Sequence, residues 1–473
     1  MTHRSFDVLV AGAGFGGLSA ALHLAEQGRS VCVCEKLAYA GGCASTFQRD
    51  GAWYEAGATM FAGFDEGGWM RHLVRRFRLD VDIVPLDPVA GFRSPGLRVQ
   101  VPADRHTFVE TMASLPGAPG PSVRAFFDEV RSTADVLWAL FSRPDRLPPF
   151  TLPALLHHVR SLPDLLPLVR GVGRPLTARL AAHGLAGFEP LRLWLDAVCQ
   201  ITVQTSADRA EAPVAMAAVD YFFRGTAHVG GGIGRLADAM VQAIRARGGE
   251  VVLANRVRAL ERVTDGWRVQ TRRFDAQART VVADLLPQDV DRLRGIEPSG
   301  RRVQAVREGW GAAMLYLRVD GAGGAHHLQC VLDPSLPLVE GNLVLVSVGA
   351  GDRPGPRTAT VSTHIRLGEG LPDRVAQVQA RMRANVAQNA PELRIGHVMT
   401  ASPRTFERFT DREDGLVGGV PRVAGLRGYL DLWPVEHTRD LWLVGDSVFP
   451  GQSVLAVTVA GHRVAAAIDR RNT

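Results

Sequence analysis

An α/β fold organised on a Rossmann-like sheet, with an α+β lobe threaded between the segments of that sheet, is predicted by three observations. A glycine-rich turn, Ala11-Gly12-Ala13-Gly14-Phe15-Gly16-Gly17, stands between an apolar strand and an apolar helix near the N-terminus. A second glycine segment, Val444-Gly445-Asp446-Ser447 with Pro450-Gly451-Gln452-Ser453 behind it, lies near the other end of the 473 residues. Between the two, apolar helical stretches give way to strand-like runs at 312–317 and 342–347, which predict an antiparallel sheet in a second lobe.

In chain order, the apolar run 7–10 forms the first strand, and residues 18–25 have the apolar spacing of a helix buried against a sheet. Gly12, Gly14 and Gly17 fit G-x-G-x-x-G. The first glycine permits the tight turn, the second lets backbone approach a pyrophosphate, and the third lets helix and strand pack closely. The helix N-terminus at Phe15 and Gly16 then faces the phosphates. A second strand, 30–34, ends in Glu35, 23 positions after Gly12, where an acidic side chain takes the ribose hydroxyls of an adenosine. That carboxylate serves NAD and FAD alike. Lys36, then Gly41, Gly42, Cys43 and Ser45, then Gly57, Ala58 and Thr59, continue the site with backbone that admits close approach.

Short apolar pieces fill 136–192, at 136–141, 152–160 and 162–170; the latter two are broken by proline and edged with Arg or His. They suit a helical apolar lid on the substrate lobe, helices lying in a membrane interface, or both. His157-His158 reads as surface, since adjacent helix positions do not share a face. The glycines 230–232, a helix over 237–247 and a strand over 250–253 return the chain to the nucleotide domain, with a further strand at 280–284. Strand 441–444 delivers Gly445 and Asp446 to the same site, and 453–468 form a helix whose N-terminus carries about half a positive charge. Residues 1–75, 225–290 and 425–473 are thereby assigned to the nucleotide domain, and 76–224 with 291–424 to the substrate lobe.

Together these segments resemble the flavoprotein superfamily of amine oxidases and carotenoid desaturases, in which Glu-Lys, a Gly-Gly pair and a later Gly-Asp segment bind FAD. Gly-Gly-Cys-Ala-Ser-Thr-Phe at 41–47, Gly57-Ala58-Thr59 with Ala62-Gly63, and Gly67-Gly68 are similar to the carotenoid isomerases and carotenoid 3',4'-desaturases. So are 200–205 before Glu211-Ala212-Pro213, 402–409, Gly418-Gly419 and 441–461. The resemblance spans nearly the whole chain. It implies FAD as cofactor, with the residues already named around it, Val257 touching the adenine through its backbone, and Asp446 accepting from ribityl hydroxyls. Gln452, Ser453 and Val454 then bring the C-terminal helix to the N1/O2 edge of the isoalloxazine. It also implies a carotenoid substrate, with a membrane quinone or dioxygen as electron acceptor.

Composition sets the bounds. With 46% hydrophobic residues the chain can bury a large core. Lys36 is the single lysine, so 53 of 54 basic residues are arginine, and the net charge is +6. Spread charge of this kind is solvated surface that also favours anionic lipid headgroups. No basic run interleaved with aromatics suggests nucleic acid. Five cysteines, Cys32, Cys34, Cys43, Cys199 and Cys330, form no even disulfide framework and no C-x-x-C, which fits a reduced cytoplasmic compartment. No signal peptide and no run of 18 uncharged apolar residues is seen, so a bilayer-borne substrate calls for peripheral docking on the inner face of the membrane.

The chemistry expected is that of a carotenoid desaturase. No Ser-His-Asp spacing, metal-ligand cluster or carboxylate pair is evident, and no catalytic residue is assigned. An allylic C–H offers no heteroatom to activate, so the resemblance implies hydride transfer to flavin followed by loss of a neighbouring proton. A carotenoid cis-trans isomerase using reduced FAD is the alternative. An amine oxidase would want an aromatic cage, and no paired aromatics stand out near the C-terminal motif. A flavin-bound carotenoid or lipid carrier is the non-catalytic alternative.

Overall fold

The computed structural model describes residues 3–141, 143, 165–320, 326–349, 351–433 and 435–471. The first strand, His3–Ala11, becomes apolar on both faces in its second half, where Val8, Leu9, Val10 and Ala11 are all buried, as a central parallel strand requires. It pairs in parallel with Val31–Cys34 on one side and Asp275–Ala283 on the other. The sheet runs in the order Val257–Val263, Gly266–Thr271, Asp275–Ala283, His3–Ala11, Val31–Cys34, Glu250–Val252, and Leu441–Leu443 adds in parallel to Asp275–Ala283. Strands from the beginning, middle and end of the chain therefore share one sheet.

The helix Phe15–Glu26 packs against the C-terminal helix Val454–Arg471. They touch closely at Gly461, where a Cβ would stand 2.4 Å from Gly16 O. The missing side chain is what lets the C-terminal helix reach the glycine turn. The helix expected over 237–247 is Gly234–Arg245. It starts early because the Gly234 N–H donates to Thr46 Oγ1 at 2.8 Å.

The second sheet runs in the order Arg394–Ala401, Trp310–Asp320, Thr358–Ile365, Leu343–Val348, His326–Val331, Ala90–Ser94, Leu97–Val101, with Leu416–Val417 beside Trp310–Asp320. It is antiparallel except where Ala90–Ser94 runs parallel to His326–Val331. The hairpin at 90–101 has no counterpart in the sequence reading. Helix Leu371–Asn389 covers one face, and the other faces a cavity shared with the first sheet.

Helices Gly120–Phe141, Glu189–Thr202 and Ala212–Asp220 form the lid around Phe108, Phe126, Phe127 and Trp194. The piece 152–160, the start of 162–170 and His157-His158 lie outside the described residues. Among the described residues, no helix is long and apolar enough to cross a membrane.

Candidate functional site

The two glycine segments meet. A Cβ on Gly16 would lie 3.0 Å from Gly445 N, and Gly14 pairs with Gly41 through a parallel bridge closed by Gly41 N–H to Ala13 O at 2.8 Å. Glu35 holds this turn: its Oε2 accepts from Ala13 N and its Oε1 from Leu37 N, both at 2.7 Å. Burial pushes the Glu35 carboxyl up, against the pull of the Leu37 and Ala13 donors. Around these turns lies a cavity of about 820 Å³ that continues to the second sheet. Gly12, Gly14, Phe15, Gly16, Glu35, Lys36, Gly41, Gly42, Cys43, Gly57, Ala58, Thr59, Val257, Gly445, Asp446, Gln452, Ser453 and Val454 all line it. Gly17 and Ser45 stand behind the wall: a Cβ on Gly17 would meet Gly12 O at 2.5 Å, and Ser45 is buried.

Two groups that sequence reasoning missed organise the charge here. Asp284, at the end of the strand Asp275–Ala283, accepts from the Gly17 N–H at 2.9 Å, and burial pushes its carboxyl up to about 6. Arg412 donates through one nitrogen to both oxygens of Asp446 at 2.9 Å, and through Nε to Leu416 O at 2.5 Å. Burial alone would lower the Arg412 guanidinium, but Asp446 outweighs it and holds the group above its ordinary value. Asp289, on the same wall, is also pushed up to about 6 by burial. Nothing in the spacing of these residues marks them, since Asp284 and Asp289 follow the strand Asp275–Ala283 while Arg412 comes from the loop after helix Pro403–Thr410, and the fold brings the two segments together.

Gly14 also has a neighbour within the chain: a Cβ there would stand 2.4 Å from Asp284 Oδ2, so a larger residue would have to displace the end of that side chain. One correction concerns aromatic pairs near the C-terminal motif. Trp433 and Phe449 stack at 5.0 Å, but Arg463 lies 5.4 Å from each ring, so the chain's own cation occupies that pair.

A family model for flavin containing amine oxidoreductases matches residues 15–304, more than half of the chain. The chain belongs to this family. Across 98% of its length it is 24% identical to the chloroplastic prolycopene isomerase of Arabidopsis thaliana, covering 83% of that protein. Over 77 residues, 16% of this chain and 12% of the relative, it is 42% identical to the all-trans-retinol 13,14-reductase of Homo sapiens. A solved oxidoreductase from Methanosarcina mazei shares the fold with a TM-score of 0.67 at 16% identity, covering 97% of this chain and 99% of that one. This family member is an FAD-dependent oxidoreductase, and the cavity wall fits the cofactor. Gly14 brings no capping side chain of its own to the helix Phe15–Glu26, and Asp284 takes the Gly17 N–H, so it is the earlier N–H groups of the first turn that face an anion. Each Glu35 oxygen keeps a second lone pair. Among the described residues, no group of His, Cys, Asp and Glu is arranged to hold a metal.

Proposed function

We propose that this oxidoreductase acts on the polyene chain of a carotenoid and introduces a C=C bond at the 3',4' position of an acyclic or half-cyclised end. The shape of the cavity carries the reading. One chamber runs from the glycine turns to an apolar wall of Leu338, Leu343 and Leu345, closed on the lid side by Trp138, Phe141, Val214 and Phe222. Each 100 Å² of polyene buried there is worth roughly 2.5 kcal/mol. Bound FAD supplies two-electron oxidation and reduction. The protein holds the chain in register, excludes water and takes up a proton. The likeness to prolycopene isomerase over 98% of the chain favours a second reading, cis-trans isomerisation without change of mass.

A carotenoid resides in a bilayer, so the reading includes docking on an anionic membrane surface. Two exposed apolar segments support it: Leu166, Val169 and Val172 on one, Leu426 and Leu430 on the other. Glu211 ties them together, since its Oε1 accepts from Gly173 N at 2.7 Å and from the Tyr429 hydroxyl at 3.0 Å, and its Oε2 from Gly425 N at 3.0 Å. Arg170, Arg174 and Arg427 are exposed among them, the pairing of apolar surface and positive charge that anionic headgroups attract.

The test is the mass of the product when FAD-loaded protein meets a carotenoid in anionic liposomes, with and without a quinone or dioxygen. Acceptor-dependent loss of two hydrogens with a red-shifted spectrum is expected. Unchanged mass with altered chromatographic retention would replace desaturation by isomerisation.

A further inference from the structure

The lid helix Glu189–Thr202 ends on a residue that the turn itself does not call for. Its C-cap is Val203, and the next residue, Gln204, has a φ of 61°, the left-handed backbone that glycine or asparagine ordinarily supplies at a helix end. A glutamine there carries the strain of a side chain, and it is 1% exposed, so neither the turn nor solvation accounts for it. Opposite stands Gly418, where a Cβ would lie 1.3 Å from Gln204 Nε2. One residue is larger than its turn requires, and the other is bare enough to admit it. What both fit is the Gln204 amide.

That amide belongs to a chain of hydrogen bonds whose directions are fixed, because its ends are backbone carbonyls, which only accept. Gln204 Nε2 donates to Val417 O at 3.0 Å and to Gln452 Oε1 at 3.1 Å. Gln452 Nε2 donates to Ile201 O at 2.8 Å and to Thr202 O. From the second sheet, Trp310 Nε1 donates to Gln204 O at 2.9 Å and holds the turn. Both amide hydrogens of Gln452 are therefore taken up by the last turn of the lid helix, and none is left for the cofactor. The next residue, Ser453, also has a positive φ, 119°, and its hydroxyl accepts from Ala456 N at 3.0 Å at the start of the helix Val454–Arg471. The end of the lid helix and the start of the C-terminal helix are thus joined through one side chain.

Ile201 and Thr202, whose carbonyls hold Gln452, line the same chamber as Val214, Ala217 and Phe222 of the lid. A polyene seated against that wall bears on the end of the lid helix, and the end of the lid helix bears on Gln452. We propose that Gln204 and Gln452 are positioning residues that couple the substrate chamber to the flavin, so that occupancy of the chamber changes the reduction potential of bound FAD. The inference rests on the polyene reading and on the C-terminal helix facing the isoalloxazine, and adds to them a control on when electrons move. By linkage, a chamber ligand that shifts the potential binds the oxidised and reduced forms with affinities that differ by the same factor.

Binding to the two flavin states tests this apart from turnover. FAD-loaded protein, either oxidised or reduced with dithionite without air, is titrated in detergent micelles with an acyclic C40 polyene of short conjugation, following quenching of tryptophan fluorescence. The flavin midpoint is measured with and without the polyene. Wild-type affinities are expected to differ about tenfold between the two states, which for a two-electron couple is a shift of about 30 mV. Gln204→Met and Gln452→Met break the link at similar volume and should bring the ratio to within about twofold of one, with polyene still bound. Gln204→Gly relieves the left-handed turn while deleting the amide, so it should lose the coupling without weakening the fold. Equal wild-type affinities in the two states would overturn the coupling and leave the polyene reading in place. A ratio that survives in every variant would overturn the assignment to these two glutamines. Binding in neither state would overturn the polyene reading and the coupling with it.

Discussion

Asp284 is the residue whose ionisation most directly reads the state of the site. Its carboxyl is raised by burial, so the folded chain takes up this proton before the unfolded chain does. The native state is therefore penalised at pH values above about 6, and the penalty fades as pH falls toward the ordinary carboxylate range. Asp284→Asn keeps an acceptor for the Gly17 N–H and removes the charge. Its apo-protein should melt above wild type at pH 8, with the difference vanishing near pH 4; a constant difference across that range would contradict the assignment. Arg412 gives the complementary case. Arg412→Met leaves the Asp446 carboxylate in the wall without its cation, a loss of about 3 kcal/mol for a buried pair broken on one side. Urea unfolding should show it, and adding Asp446→Leu should recover part of the stability, because the stranded charge goes with it.

The glycine turn illustrates what an element hides when read alone. Gly12, Gly14 and Gly17 were legible from their spacing, and so were the strand before and the helix after. The closeness of Gly14 to Asp284 was not, because Asp284 arrives from the neighbouring strand only once the register of the sheet is set. Gly14→Ala should destabilise the apo-protein by roughly 1–3 kcal/mol through overpacking, with relief from a companion Asp284→Ala. Unchanged apo stability would leave pyrophosphate approach as the sole reason for the glycine. The cavity face of the second sheet was hidden for a similar reason: alternation shows that two faces exist, while the packing of helix Leu371–Asn389 decides which is core. For the short helix Arg427–Asp431 and its neighbour Leu166–Val169, the relevant prediction is docking. Leu426→Asp with Leu430→Asp should reduce flotation with anionic vesicles at least about tenfold without loss of bound FAD, given the apolar area and nearby arginines involved.

Across the whole molecule, FAD acts on stability by mass action. At a free concentration of 100 times its Kd, the cofactor should add about 2.7 kcal/mol to the apo-protein, seen as a concentration-dependent rise in melting temperature. An unmoved melting temperature would show that it does not bind the folded chain. The broad α/β architecture was legible because strongly apolar runs and glycine turns report on local geometry. The joining of the Ala90–Ser94 hairpin to His326–Val331, and the meeting of Arg412 with Asp446, were not, since both are long-range pairings that no local pattern encodes.

The approach of Gly461 to Gly16, and of Gly445 to the same turn, has a consequence for the time at which the protein is made. The first glycine turn leaves the ribosome long before its closing partner exists. At roughly 5–20 residues per second, the interval is on the order of half a minute to a minute and a half. Throughout it the nucleotide sheet lacks the strand Leu441–Leu443 and the helix Val454–Arg471. The cradle is completed only when that strand and helix have emerged, so capture of the cofactor waits for them, and a nascent chain stalled before residue 441 would emerge colourless.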